Sequence, residues 1–225
     1  MENLAKWLNE SCSGLDGGVF AFMHNCAENA GDLLTPLSKL MTAIGEKGLL
    51  FFGIAIIFML FAKTRKAGIC IFGAVACGAL ITNIILKGSV MRERPFLDAA
   101  YEGYWKFVGS PFEDDYCFPS GHATAMTAFA VALFIMCNKK WSWVGFIGVI
   151  GMGFARVYLI AHYFTDVLAG VVVGAISGVA AWLITLLIYK LLHKYEEKKF
   201  CKFVLTATLS SWVTKDKGDE KKHNK

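Results

Sequence analysis

The sequence predicts an all-α fold: a polytopic membrane helical bundle with five strong spans and, as an alternative reading of the N-terminus, a sixth imperfect one. Three observations carry this expectation. Hydrophobic residues fill 56% of the 225 positions and the mean hydropathy is strongly positive, outside the range of ordinary soluble domains. Five apolar windows, at 49–61, 67–86, 123–137, 141–160 and 167–192, approach with their flanks the roughly 20 residues a spanning helix needs. Basic residues gather in alternate breaks between them.

Residues 1–45 come first and hold no clean window, because Trp7, Leu8, Phe20, Phe22, Leu33 and Leu37 are interrupted by Glu10, Asp16, His24, Glu28 and Asp32. They read either as amphipathic helices at the interface or as a weak first span over 17–45. Met1 is not followed by the charged start and apolar core of a secretory signal. Residues 46–192 form the membrane core, and 193–225 a charged tail whose last residues have the composition of a disordered segment. A moderately apolar patch at 200–213 precedes them and is expected to lie on the inner leaflet, helped by its lysines.

The formal charge of +5 is unevenly placed. Lys63, Arg65 and Lys66 share one connection, Lys139 and Lys140 another, and Lys190, Lys194, Lys198, Lys199 and Lys202 follow the last window. The positive-inside rule makes all three cytoplasmic, and counting spans agrees. The other side then holds the 88–120 connection and the turn around His162. Gly170, Gly174 and Gly178, and Ala74 with Gly78, recur at four-residue spacing, the pattern that lets helices approach closely in lipid. The seven cysteines have no metal-ligand spacing: Cys70, Cys77 and Cys137 read as packing residues, and Cys12, Cys26 and Cys117 leave a disulfide pairing open.

Three polar stretches at span ends carry the chemistry. A charge near a bilayer centre costs roughly 3 kcal/mol or more, and a bound phosphate would offset it. In the third stretch, His162 and Asp166 lie four apart. If the last helix starts by His162 they share a face, and Asp166 accepts a hydrogen bond that leaves the other imidazole nitrogen as a nucleophile. Arg156 sits upstream in an apolar segment and needs an anion. In the second, Pro119 stops the chain, Ser120 is a good N-cap, Gly121 permits close approach, and helix-start amides favour an oxyanion. His122 follows in the first turn, suited to protonate a leaving oxygen. In the first, Lys87 and Arg94 with Arg156 can surround a tetrahedral dianion. Arg92 could add a further positive contact, but reads better as a solvent-facing loop charge. The acidic run Glu113, Asp114, Asp115 and the aromatics Tyr101, Tyr104, Trp105 and Phe107 mark the 88–118 connection as more than a turn, a segment suited to carry selectivity.

Lys87-x6-Arg94-Pro95, Pro119-Ser120-Gly121-His122 and Arg156-x5-His162-x3-Asp166, in that order, are similar to the three-part signature of the type 2 phosphatidic acid phosphatase superfamily. The resemblance covers residues 87–166. It implies a membrane-embedded, metal-independent lipid phosphatase without a cofactor. Lys87, Arg94, Ser120, Gly121 and Arg156 would hold the phosphate, His162 would form a phosphohistidine, Asp166 would orient it, and His122 would protonate the leaving group. The family usually has Ser where this chain has Ala155. Within the family the compact chain is similar to members that act on undecaprenyl diphosphate; a phosphatidylglycerophosphate or phosphatidate phosphatase is the close alternative.

The expected partners are a lipid phosphate substrate and membrane lipids, with no nucleic acid, and the expected location is the cell membrane with the site facing outward. A non-catalytic lipid-phosphate binder or transporter would be expected to lack the nucleophile or the acid, and both are present. A channel would place its charges near the midplane.

Overall fold

The computed structural model describes residues 2–208, and among them there is helix, turn and loop but no strand. A short α1 (Glu2–Ser11) leads into α2 (Ser13–Gly45), which breaks at Ala30 (φ −143°, ψ 23°) and carries Pro36. A 3-10 turn, Glu46–Gly48, joins it to α3 (Leu49–Met59). Next, α4 (Arg65–Ala79) runs through a π-helical turn, Leu80–Leu86, into α5 (Lys87–Val90). After the 3-10 turn Pro95–Leu97 come α6 (Glu102–Val108), α7 (Gly121–Met136), α8 (Lys139–Ser142), α9 (Val144–Tyr158), α10 (Phe164–Lys194) and α11 (Lys199–Thr206).

Three helical stretches are long and apolar enough to cross a membrane: Ser13–Met59, Arg65–Leu97 and Phe164–Lys194. This is fewer than the five or six the windows suggest. Residues 13–59 count as one stretch, so the N-terminal region adds no separate sixth span. The 141–160 window divides at Trp143 into α8 and α9, and α7 and α9 have 16 and 15 residues. At 1.5 Å per residue each covers only about 22 to 24 Å.

The bundle is held by close backbone approach. A Cβ on Gly170 would stand 2.6 Å from the Ser120 carbonyl oxygen, and one on Gly174 would stand 2.5 Å from that of Thr124. On Gly178 it would meet Val131 at 2.7 Å, and on Gly68 the Ala55 carbonyl at 2.6 Å. The four-residue glycine spacing of α10 is therefore the surface against which α7 lies, as the small-residue pattern predicts. Buried Thr82 and Thr124 hydroxyls bond across α7 and the π turn at 3.1 Å, and Thr35 meets Tyr158 at 2.8 Å between α2 and α9. Phe51, Ile71, Val75, Phe129 and Met152 fill the core at one level, Phe20, Phe96, Val157 and Tyr163 that at another. Outward faces stay apolar, with Ile84, Ile150, Val172, Ile184 and Leu187 exposed, as lipid contact requires.

The lysine-bearing connections lie together. Arg65 donates to the Met59 carbonyl at 2.9 Å and to those of Val204 (2.6 Å) and Ala207, so α11 is fastened to the turn between α3 and α4. Residues 209–225, which hold the rest of the apolar patch and the terminal charged run, lie outside the described residues. All seven cysteines are free thiols, and no pairing forms among Cys12, Cys26 and Cys117.

Gly174→Ala is expected to destabilise the protein by about 1–3 kcal/mol through overpacking against backbone. Gly53→Ala, with nothing within 4 Å of the new methyl, is expected to leave thermal unfolding in detergent unchanged or slightly higher. Equal melting temperatures for the two variants would contradict this account of the α7 and α10 contact.

Candidate active site

The three polar stretches meet at the opposite end from the lysine-bearing connections, around a cavity of about 600 Å³. Lys87, Arg94, Gly121, His122 and His162 line it, joined by Asn83 from the π turn, Glu46 from the turn after α2, and Glu113 to Asp115. Ser120, Arg156 and Asp166 stand behind this lining. Asn83 and Glu46 belong to none of the three polar stretches; for Asn83 the signal in the sequence is an Asn inside an apolar window.

Ser120 is the N-cap of α7: its hydroxyl accepts from the Ala123 amide at 3.4 Å, its amide donates to the Asp166 carbonyl at 3.0 Å, and its carbonyl accepts the Thr124 hydroxyl at 2.9 Å. Those bonds tie the start of α7 to the first turn of α10. Gly121 faces Asn83 across the cavity, where an added Cβ would lie 3.6 Å from Oδ1. His122 Nε2 is 3.8 Å from Glu46 Oε2 and makes no hydrogen bond.

His162 does not sit on α10. It ends a sharp turn after α9 in which the Ala161 and His162 amides both donate to the Arg156 carbonyl, at 3.2 and 3.3 Å. Ile160 in that turn has φ +54°, a left-handed conformation that is strained for a β-branched residue and costs about 1–3 kcal/mol. Because α10 begins at Phe164, the four-residue spacing does not make the expected helical pair. His162 Nδ1 lies 3.7 Å from Asp166 Oδ2, beyond hydrogen-bond length, and Asp166 instead accepts the Tyr163 amide at 2.9 Å as part of a capping box.

The tautomer of His162 follows from its other neighbour. Arg94 Nη1 is 3.4 Å from His162 Nε2, and a guanidinium only donates. Nε2 therefore carries the lone pair, and the ring proton sits on Nδ1, toward Asp166. Complete burial, then the charges of Arg156, Arg94 and Lys87, hold the imidazole well below its ordinary pKa, so it is uncharged at neutral pH.

The cations are already matched by anions from the protein itself. Arg94 Nη2 contacts Glu113 at 2.7 Å and also pairs with Asp115; its Nη1 and Nε donate to the Ala161 and Asp115 carbonyls, each at 2.8 Å. Arg156 reaches Glu113 at 2.5 Å, and Lys87 pairs with Asp115. Burial alone would raise the Asp115 pKa, but bonds and charges from Lys87 and Arg94 outweigh it and hold the carboxyl below the usual range. The acidic run is thus folded into the cradle, with its carboxylate oxygens on the groups that would hold phosphate.

Arg92 is the main departure from the sequence reading. It is not a solvent-facing loop charge but 1% exposed, donating to Asp166 Oδ1 at 2.6 Å and to Asp16 Oδ2 at 3.0 Å. Ala155 is buried within α9 and does not line the cavity.

The molecule is thus a helical bundle with long apolar spans that gathers three cations and two histidines around one cavity at one end. Residues 67–190 match the model of the PAP2 superfamily, and the chain belongs to that family. Over 147 residues it is 29% identical to an undecaprenyl-diphosphatase of Sulfolobus acidocaldarius, covering 63% of this chain and 68% of the relative. It is 33% identical over 133 residues to a lipid A 4'-phosphatase of Porphyromonas gingivalis, covering 56% of each. With the undecaprenyl-diphosphatase BcrC of Bacillus subtilis it shares 26% over 144 residues, 63% of this chain and 72% of the relative. The chain thus spans little more than half the length of the lipid A phosphatase. No solved structure gives a significant match. Family and relatives together support a phosphoric ester hydrolase.

If Glu113 and Asp115 stand in for substrate oxygens, removing their charge leaves the cradle open to phosphate. Glu113→Gln with Asp115→Asn is expected to tighten competitive inhibition by inorganic phosphate about two- to fivefold, the range given by ~0.5–1 kcal/mol for ion pairs with solvent access. Weaker inhibition would mean that these carboxylates support the cradle and do not compete for it.

Proposed function

We propose that the protein is a membrane-embedded phosphatase that removes the terminal phosphate of a lipid diphosphate, undecaprenyl diphosphate being the leading candidate. The observation that carries this reading is the placement of His162, whose Nε2 lies 3.4 Å from Arg94 Nη1 beside Lys87 and Arg156 while its Nδ1 lies 3.7 Å from Asp166 Oδ2. The two relatives named undecaprenyl-diphosphatase support the substrate class, and the relatives named lipid A phosphatases keep phosphorylated saccharolipids as an arm of the test.

The substrate phosphate displaces Glu113 and Asp115 and takes bonds from Lys87, Arg94 and Arg156, with the Gly121 backbone alongside and Ser120 fixing that helix start. Preorganised donors of this kind stabilise charge on the transferring phosphoryl group. His162 Nε2 attacks phosphorus and forms a P–N bond as the P–O bond to the leaving phosphate breaks. Asp166 stabilises the positive charge that develops on the ring. The anionic substrate favours a protonated His122, which donates its Nε2 proton to the leaving oxygen and returns to neutral, then takes a proton from the water that attacks phosphorus and breaks the P–N bond. The products are a lipid monophosphate and inorganic phosphate, and His162 returns to its neutral state.

The proposed topology has five crossings, the long stretches 31–59, 65–90 and α10 together with the shorter α7 and α9, which run between the site end and the lysine-bearing end, and it puts the site on the extracytoplasmic side of the cell membrane. The lysine-bearing turns at the other end support that orientation. A membrane-impermeant thiol label is expected to reach a cysteine introduced by Asp114→Cys in intact cells but not one introduced by Lys63→Cys; the opposite pattern would invert the orientation.

His162→Ala is expected to lower phosphate release from prenyl diphosphate in detergent by about 10³-fold or more, as loss of a nucleophile does, while the protein stays folded in the membrane. Activity is expected to persist in excess chelator. Specificity constants for prenyl diphosphate, phosphatidate, phosphatidylglycerophosphate and lipid A decide the substrate. Full activity of His162→Ala would overturn the mechanism, and turnover of none of these lipids would favour a binder or transporter.

A further inference from the structure

Arg92 and Asp16 form a buried cluster behind the site that the mechanism above does not use. Neither lines the cavity, and both are 1% exposed. Arg92 spends its whole fork on neighbours: Nη1 donates to Asp166 Oδ1 (2.6 Å) and the Thr165 hydroxyl (2.8 Å), Nη2 to Asp16 Oδ2 (3.0 Å), and Nε to Asn9 Oδ1 (2.8 Å). Its flat face lies 3.8 Å from the centre of the Tyr163 ring. Asp16 in turn accepts the Thr165 amide at 3.0 Å and the Thr165 hydroxyl at 2.8 Å. So α1 and α2 reach into the first turn of α10 and grip the residue beside Asp166.

Resting on the phosphatase reading, we propose that Asp16 and Arg92 are positioning residues for the nucleophile: they fix the Asp166 carboxylate opposite His162 and set how much of its negative charge the imidazole feels. The geometry argues for both parts. Arg92 pins Oδ1 of Asp166 and the Tyr163 amide pins Oδ2, so the carboxylate cannot rotate away, and Oδ2 stays 3.7 Å from His162 Nδ1. An arginine paired with Asp166 alone would cancel its charge. Asp16 shares the same guanidinium, leaving two carboxylates on one cation and a net negative charge behind an imidazole that becomes positive during attack. A staple that only joined the N-terminal helices to the bundle would not need an ion pair shared with Asp166.

The test uses the full-length protein in detergent with prenyl diphosphate as substrate, and compares Asp16→Asn, Arg92→Gln, Arg92→Lys and His162→Ala. Asp16→Asn and Arg92→Gln are each expected to lower kcat about 10- to 100-fold, the usual cost of losing a partner that orients a functional ligand. KM should move by no more than about twofold, because neither residue touches the phosphate cradle. The acidic limb of the rate profile, which reports protonation of His162, separates positioning from stapling. Removing the Asp16 charge shifts that limb to lower pH, and removing the Arg92 charge shifts it to higher pH. The other groups facing His162, namely Lys87, Arg94, Arg156 and His122, are the same in every variant, as are Cys117 and Tyr163 beside Asp166. Arg92→Lys keeps the charge but not the fork, and is expected to restore the limb while leaving kcat reduced.

Wild-type kcat in Asp16→Asn, a rise in KM alone, or limbs that stay put or move the same way would overturn the proposal. Thermal unfolding identifies a variant that fails to fold; if Arg92→Gln does, the limb of Asp16→Asn decides. An active His162→Ala would bring down the phosphatase reading itself, whereas an inactive His162→Ala beside unaffected Asp16 and Arg92 variants would bring down this inference alone.

Discussion

Three guanidinium groups, those of Arg92, Arg94 and Arg156, are at most 2% exposed within a bundle of apolar helices, and the need to match their charge organises everything around them. An unpaired ion in such a place costs several kcal/mol even after the surroundings relax. The chain meets that requirement in two ways. Arg92 is matched by Asp16 and Asp166, both as buried as itself. Arg94 and Arg156 are matched by Glu113 and Asp115, whose side chains are 25% and 51% exposed and sit on a connection between helices. The first set is a fixed part of the architecture. The second is partly exposed and, under the proposed function, gives way to the substrate anion.

Much of the helix packing serves to bring these charges to one level. α10 can deliver Asp166 beneath the start of α7 only because Gly170 and Gly174 let the two backbones touch. The bond from the Ser120 amide to the Asp166 carbonyl then locks the two helix starts together. On the other side, the left-handed Ile160 turns the chain sharply enough for the Ala161 carbonyl to face Arg94 and for His162 to enter the cavity. Its buried side chain supplies apolar contacts that offset the strain.

What was legible in the sequence divides along the same line. Lys87, Arg94, His122 and His162 could be found because a charge or an imidazole at the end of an apolar run has few innocent explanations, and all four line the cavity. Arg92 could not be found, because its partners Asp16 and Asp166 lie 76 and 74 residues away and only the fold joins them. The N-terminal region was ambiguous for a related reason: its interrupting charge at Asp16 looks like a solvated helix face until Arg92 and Thr165 are set against it. The spacing of His162 and Asp166 suggested a helical pair, but spacing alone does not say where a helix begins, and α10 begins one residue after Tyr163. The windows locate the apolar segments well but overstate how many are long enough to cross a membrane, since hydropathy does not register the turns at Trp143 or Gly45.

The cradle also bears on how a lipid substrate would bind. Lys87, Arg94 and Arg156 present three positive charges, and Glu113 and Asp115 answer with two negative ones. A phosphate dianion that replaces those two carboxylates brings the same charge, so the exchange gains little Coulomb energy and the head group alone would bind weakly. Affinity must then come from apolar burial, at about 25 cal/mol per Å², and the cavity walls toward the bundle centre supply it through Val75, Ala79 and Ala125. Under the proposed function this arrangement favours an anion that arrives on a hydrocarbon tail over free phosphate, which has no tail to contribute. Under that same function, Glu113 and Asp115 would act on selectivity through charge balance.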